Sequence, residues 1–215
     1  NIVFEIFDTQ DDVLPGQCAN YNITVVKNFA DGWLVFSTPG APEAMPEGQD
    51  IATWTQEHWT VELDFSEAPA DPDGDGKRRF IMDTRYKVNV IICAPTNATA
   101  GLGPAVTVKA HLDGHAKVSD SVILSTNVIH VYDLDIVTVD DEILDPSSPS
   151  IDVNPGEDRI ITVRTTNEGN GPDRYDMRLA RVALVGGDDQ LWDIEVPRSL
   201  LQELTRGTSQ EIDIG

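Results

Sequence analysis

Basic residues, cysteines and long hydrophobic runs are all scarce in this chain. Of its 215 residues, 15 are Lys or Arg against 37 Asp or Glu, giving a formal charge of −22. Phosphate repels a surface of that sign, which argues against nucleic acid or an anionic membrane as partner. No run of about 18 apolar residues occurs, so no membrane insertion is expected in this segment. The first residues, Asn1-Ile-Val-Phe-Glu-Ile-Phe-Asp8, contain neither a basic segment nor a cleavage site and do not read as a signal peptide. Two cysteines, Cys18 and Cys93, are too few for a zinc cage or an iron–sulfur cluster. No Gly-x-Ser-x-Gly or His-Glu-x-x-His motif and no Ser-His-Asp order is present, so the segment is not expected to be an enzyme.

What the chain does have is apolar material in short pieces. Hydrophobic residues make up 40% of it, enough to bury a core. Ile2–Phe7, Tyr21–Val26, Trp33–Phe36, Trp59–Phe65, Tyr86–Ile92, Ala105–Ala110 and Ser121–Val131 alternate or are β-branched, with Gly, Pro, Asn and Asp between them. That pattern predicts an all-β sandwich. Only Pro197–Leu204 has the composition for a turn or two of helix.

An internal repeat organises these pieces. The first copy runs Phe4-Glu-Ile-Phe, Asp11-Asp12, Pro15-Gly16-Gln17, Ile23-Thr24-Val25, Asn28 and Gly32. The second runs Leu134-Asp-Ile-Val, Asp140-Asp141, Pro155-Gly156-Glu157, Ile161-Thr162-Val163, Asn167 and Gly169. Further on, Trp59–Leu63 matches Trp192–Val196, and Gly76–Met82 matches Gly207–Ile214. The expected domains are 1–133, carrying an insertion at 41–58, and 134–215. On this matching the second copy stops at the point equivalent to Asp83 and lacks its last strands. Either more polypeptide or another chain would complete it.

These blocks resemble the Ig-like repeat domains of prokaryotic secreted proteins, in particular the NPCBM-associated domain of α-galactosidases and the CARDB domain. The residues that carry the resemblance are Pro15-Gly16, Ile23–Asn28, Trp59–Leu63, Pro95-Thr-Asn97-Ala98-Thr-Ala-Gly101 and, in the second copy, Pro155-Gly156, Ile161–Gly169 and Trp192–Val196. The resemblance implies tandem immunoglobulin-like β-sandwiches. It also implies a role in an extracellular, archaeal or other prokaryotic array, such as an S-layer, sheath or filament. Partners would be copies of the same chain or neighbouring surface-protein domains. An accessory module of a secreted hydrolase, or an adhesin, is the alternative.

Individual residues suggest sites. Asp71-Pro-Asp73-Gly-Asp75-Gly76 has three carboxylates at alternate positions, as calcium loops do, with Asp83 available to close the shell. Met82 stands where an EF-hand needs Glu, and an acidic hairpin turn is the plainer reading. Asp11-Asp12 and Asp140-Asp141-Glu142 are a second acidic pair of clusters, read mainly as solvated loops. His111 and His115 straddle Asp113-Gly114, a hairpin turn rather than a zinc-binding helix face. Cys18 and Cys93 are either a disulfide or two buried thiols. Together with the sequons at Asn22 and Asn97 they favour a bridge in an extracellular protein. Such a bridge closes a loop of about 75 residues, worth roughly 4 kcal/mol in the chain-entropy model. Trp59 and Trp192 read as core, while Trp54, in the polar insertion, is a candidate for an exposed binding aromatic.

Overall fold

The computed structural model describes residues 1–28, 31–38, 59–139, 154, 156–176 and 203–214. The chain divides into two compact units, Asn1–His130 and Val131–Gly215. Val131 and Asp133 belong with the second because their carbonyls accept the amides of Asn170, Glu168 and Gly169. No helix occurs among the described residues.

Fourteen strands are described: β1 (Ile2–Gln10), β2 (Asp12–Val13), β3 (Cys18–Lys27), β4 (Gly32–Ser37), β5 (Thr60–Asp64), β6 (Lys77–Phe80), β7 (Arg85–Cys93), β8 (Gly101–Leu102), β9 (Val106–Leu112), β10 (His115–Leu124), β11 (Asn127–Val128), β12 (Leu134–Thr138), β13 (Ile161–Asn167) and β14 (Ser209–Ile214). In the first unit two four-stranded sheets form, in the orders β1-β3-β7-β5 and β10-β9-β4-β6, with a small third sheet β2-β11-β8. Pairing is antiparallel except between β2 and β11.

Alternation places one face of each large sheet inward. Ile23, Val25, Val88, Val90, Ile92, Val61 and Leu63 from the first share one core with Leu34, Phe80, Val106, Val108 and Ala110 from the second. Phe36, partly buried, packs against it among Phe4, Phe65 and Phe80, at centroid distances of 6.4, 5.1 and 5.8 Å. Tyr21 reaches across with its hydroxyl, which donates to the Ser125 carbonyl at 2.8 Å and bonds Thr126 Oγ1 at the same distance. The outer edge of β1 is blunted: the amide of Phe4 donates to Asp120 Oδ2 at 3.2 Å rather than standing open to another strand.

In the second unit one sheet is described, in the order β12-β13-β14. Its pairing reproduces that of β1, β3 and β7. Ile2 faces Lys27, and Leu134 faces Asn167. The turn amide of Gln17 bonds the Leu14 carbonyl, and that of Glu157 bonds the Asn154 carbonyl, 140 residues on. Gly16 and Gly156, at the same spacing, have φ of 78° and 82°. Entering the third strand, the Thr84 amide bonds Ile81 and the Thr208 amide bonds Thr205, 124 residues on.

These spacings correct two of the block matches. Val163 corresponds to Ile23, and Leu134 to Ile2, each two residues away from the position that sequence matching gives, and within the first of these blocks Asn167 falls on Lys27 and not on the expected Asn28. The match of Gly76–Met82 with Gly207–Ile214 also falls. β6 pairs with β4 in the other sheet, whereas β14 pairs with β13 as β7 pairs with β3. β14 takes the place of β7, and Ile214 corresponds to Val90, past the expected Asp83 position.

Candidate functional site

Three places in the first unit gather polar chemistry. One is the acidic loop before β6. Asp71 organises it: Oδ1 accepts the amides of Gly74 (2.9 Å) and Asp75 (3.3 Å), and Oδ2 accepts that of Gly76 (2.8 Å). Gly74 and Gly76, at φ of 68° and 75°, make the required turns. Asp75 Oδ1 accepts the Lys77 amide at 3.0 Å. The Lys77 ammonium lies 3.3 Å from Asp75 and 3.4 Å from Asp113. Hydrogen bonding to Asp75 first, then to Asp113, holds Lys77 above its usual pKa. Asp83 does not join this loop. It lies beyond the far end of β6, in the turn leading to β7, with its amide on the Lys27 carbonyl at 2.9 Å. No group of three His, Cys, Asp or Glu residues poised for a metal occurs among the described residues. His111 lies in β9 and His115 opens β10, on either side of a two-residue turn.

The second place is an open groove of about 400 Å³ beside the β6–β7 turn. Ile81, Pro69 and Tyr86 give it apolar walls, and Asp31, Arg79 and Glu67 give it charge. Asp31 Oδ1 accepts the Met82 amide at 3.0 Å, and its Oδ2 lies 3.6 Å from Arg79. Glu67 is paired with Lys87 at 3.2 Å. Lys27 is close by and fully buried. Burial lowers its pKa, and the negative charge of Asp31 opposes that in part. Sequence reasoning missed Lys27, although a signal existed. Tyr21, Ile23, Val25 and Lys27 are successive alternate residues of one strand, so Lys27 falls on the buried face.

The third place is the end of the first sheet where Cys18 and Cys93 are directly opposed and joined by a disulfide. Two turns meet there. The Gly16 amide donates to the Pro95 carbonyl at 3.1 Å, and the Ala94 amide to Gln17 at 2.9 Å. Asn97 is exposed in the Pro95–Ala98 turn. Asn22, the other sequon residue, lies mid-strand in β3, half-buried and opposite Asn89. Of the tryptophans, Trp59 is buried and Trp33 is exposed. Trp54 and the rest of the 41–58 insertion, Trp192, most of Pro197–Leu204, and Asp140, Asp141 and Glu142 lie outside the described residues.

Compared with protein-family models and with curated proteins, the chain matches none.

Proposed function

We propose that this chain is a segment of an extracellular structural protein. In this reading tandem immunoglobulin-like β-sandwiches assemble, with copies of themselves or neighbouring surface-protein domains, into an archaeal or other prokaryotic S-layer, sheath or filament. The observation that carries the reading is repetition: the β1-β3-β7 pairing recurs in β12-β13-β14, with the same hydrogen-bonded turn leading into the second and into the third strand of each sheet. Repeated modules in one chain suit extension and spacing. The strand orders support the immunoglobulin-like part. The first sheet corresponds to the A-B-E-D order of such folds and β10-β9-β4 to G-F-C, with β6 added at the edge. One departure is plain. The disulfide joins neighbouring strands of a single sheet instead of linking the two sheets. A cross-strand bridge of this kind suits an oxidising location. Calcium enters the proposal at Asp71, Asp73 and Asp75 alone, since Asp83 is held elsewhere.

Negative-stain microscopy of the native material, with and without EDTA, tests this. Ordered lattices or filaments that disperse in EDTA are expected. Dispersed particles in both conditions would sink the assembly reading, and lattices indifferent to EDTA would remove calcium from it.

A further inference from the structure

We infer that Asn97 carries an N-linked glycan and that Asn22, despite its matching sequon, does not. The inference rests on the extracellular reading above. The two sequons are alike in sequence, Asn22-Ile-Thr24 and Asn97-Ala-Thr99, and opposite in presentation. A transferase reading Asn-x-Thr must reach both the asparagine amide and the threonine two residues on, which is why acceptor sequons belong to surface loops.

At Asn97-Ala98-Thr99 the middle residue of the sequon provides that access. Ala98 is 6% exposed and packs into the core, while its amide bonds the Pro95 carbonyl at 3.0 Å. With Ala98 turned inward, Asn97 and Thr99 are both exposed. The turn lies at the end of the sheet, clear of the strand pairing on β7, which ends at Cys93.

Asn22 has the reverse setting. It lies in the middle of β3, with β1 on one side and β7 on the other. Its sequon threonine, Thr24, is 8% exposed, enclosed between its register partners Glu5 and Lys87. Reaching both groups there requires pulling β3 out of the centre of a four-stranded sheet.

The chemistry needs one co-reactant, a polyprenyl-phosphate-linked oligosaccharide. The bond from its anomeric carbon to phosphate oxygen breaks, and a bond from that carbon to Asn97 Nδ2 forms. The departing phosphate takes up the proton that the amide loses, with no oxidation or reduction.

The test is glycopeptide mass spectrometry on protein from its native cells, digested once without reduction to read the bridge and once after reduction and alkylation, because the Cys18–Cys93 bridge otherwise joins the Asn22 and Asn97 peptides. A glycan mass on the Asn97 peptide and none on the Asn22 peptide is expected, and Asn97→Gln made in the same cells should lose the whole increment. An unmodified Asn97 in protein whose Cys18–Cys93 bridge is intact overturns the inference and leaves the extracellular reading standing. A glycan on Asn22 overturns the argument from access. Free thiols at Cys18 and Cys93 in the native protein would instead overturn the extracellular reading beneath it.

Discussion

Lys27 and Asn167 hold the same place in two sheets. Each is fully buried, each ends its strand, and each offers its carbonyl to the amide of a left-handed residue: Asp83 at 2.9 Å in one case, Gly207 at 2.7 Å in the other. Asn167 satisfies its side chain completely. Its Nδ2 donates to Gly171 and Leu204 carbonyls at 2.8 and 2.7 Å, and its Oδ1 accepts Gly169 N–H and the Tyr175 hydroxyl. The same strand end can thus be built around an amide or around a buried ammonium.

The turn residues that meet these carbonyls give the first prediction. Asp83 has φ of 56°, a conformation that costs a residue with a Cβ and costs Gly nothing, and Gly207 stands at the corresponding position with φ of 71°. Asp83→Gly should raise stability by about 0.5 kcal/mol, the relief of strain being offset in part by the extra freedom of Gly in the unfolded chain. Gly207→Ala should lower it by about 1 kcal/mol or more. Urea denaturation of the two variants checks the opposite signs.

Gly103 gives a second prediction, since no room exists for a side chain there. A Cβ on it would lie 2.5 Å from Trp59 Cη2 and 2.7 Å from Cζ2. Trp59 is buried, and the Gly103 amide is fixed on the Thr126 carbonyl at 2.8 Å. Gly103→Ala should therefore cost about 1–3 kcal/mol through overpacking. Urea titration measures the loss, and a changed near-UV dichroism of tryptophan shows that the ring has moved.

The disulfide stabilises through the unfolded state. Its two cysteines are 75 residues apart, and the neighbouring pairs from Ala19–Ile92 to Val26–Arg85 hold β3 on β7 without it. Replacing both by Ser should therefore lower stability by roughly 4 kcal/mol while leaving the folded sheet in place. Far-UV dichroism in water should match the parent, while the denaturation midpoint falls and the dependence on denaturant steepens as the unfolded chain is freed. Loss of the β spectrum in water would show that the bridge builds the sheet instead of bracing it.

Much of this was legible from period alone. The strands around Val88 and Val108 alternate cleanly and Trp59 is core, while the pairing of the two cysteines was legible from their number and from the sequons beside them. The register of the repeat was not, because a shift of two residues returns every side chain to the same face. Lys-Arg-Arg-Phe and Ser-Gln-Glu-Ile are both short stretches ending on an apolar residue, so pattern cannot tell β6 from β7; the left-handed turn at Asp83 and Gly207 does. At the acidic loop the spacing of Asp71, Asp73 and Asp75 was visible, but not that Asp71 gathers three amides, because that depends on backbone direction.

Lys27 ties stability to pH. Burial places its folded pKa below the usual 10.5, and Asp31 opposes the shift. As pH rises through the folded pKa, the native state releases this proton before the unfolded chain does. The unfolded state then binds more protons, so this group makes stability rise with pH until 10.5 is passed. Tyr21 acts in the other direction, since burial, the largest influence on it, raises its pKa above 10.0. The comparison must therefore be between proteins: subtracting the Lys27→Met curve from that of the parent should leave a positive slope confined to the alkaline range below 10.5. A flat difference curve would mean that the ammonium is as well solvated in the folded protein as in water.

Asp71 and Asp73 separate the two roles of the acidic loop. Asp71 accepts three backbone amides, whereas Asp73 is exposed and lies beside that turn. In EDTA, Asp71→Ala should cost about 1 kcal/mol, the net value of a few hydrogen bonds at a partly exposed site. Asp73→Ala should be close to neutral there. If the loop also takes calcium, as proposed, millimolar calcium raises the melting temperature of the parent, and Asp73→Ala loses most of that rise while keeping its stability in EDTA. A parent protein whose melting temperature is the same in calcium and in EDTA would leave Asp71 as a turn former only. The carboxylates of Asp73 and Asp75 would then contribute to solubility and to the Lys77 pair, with no ion between them.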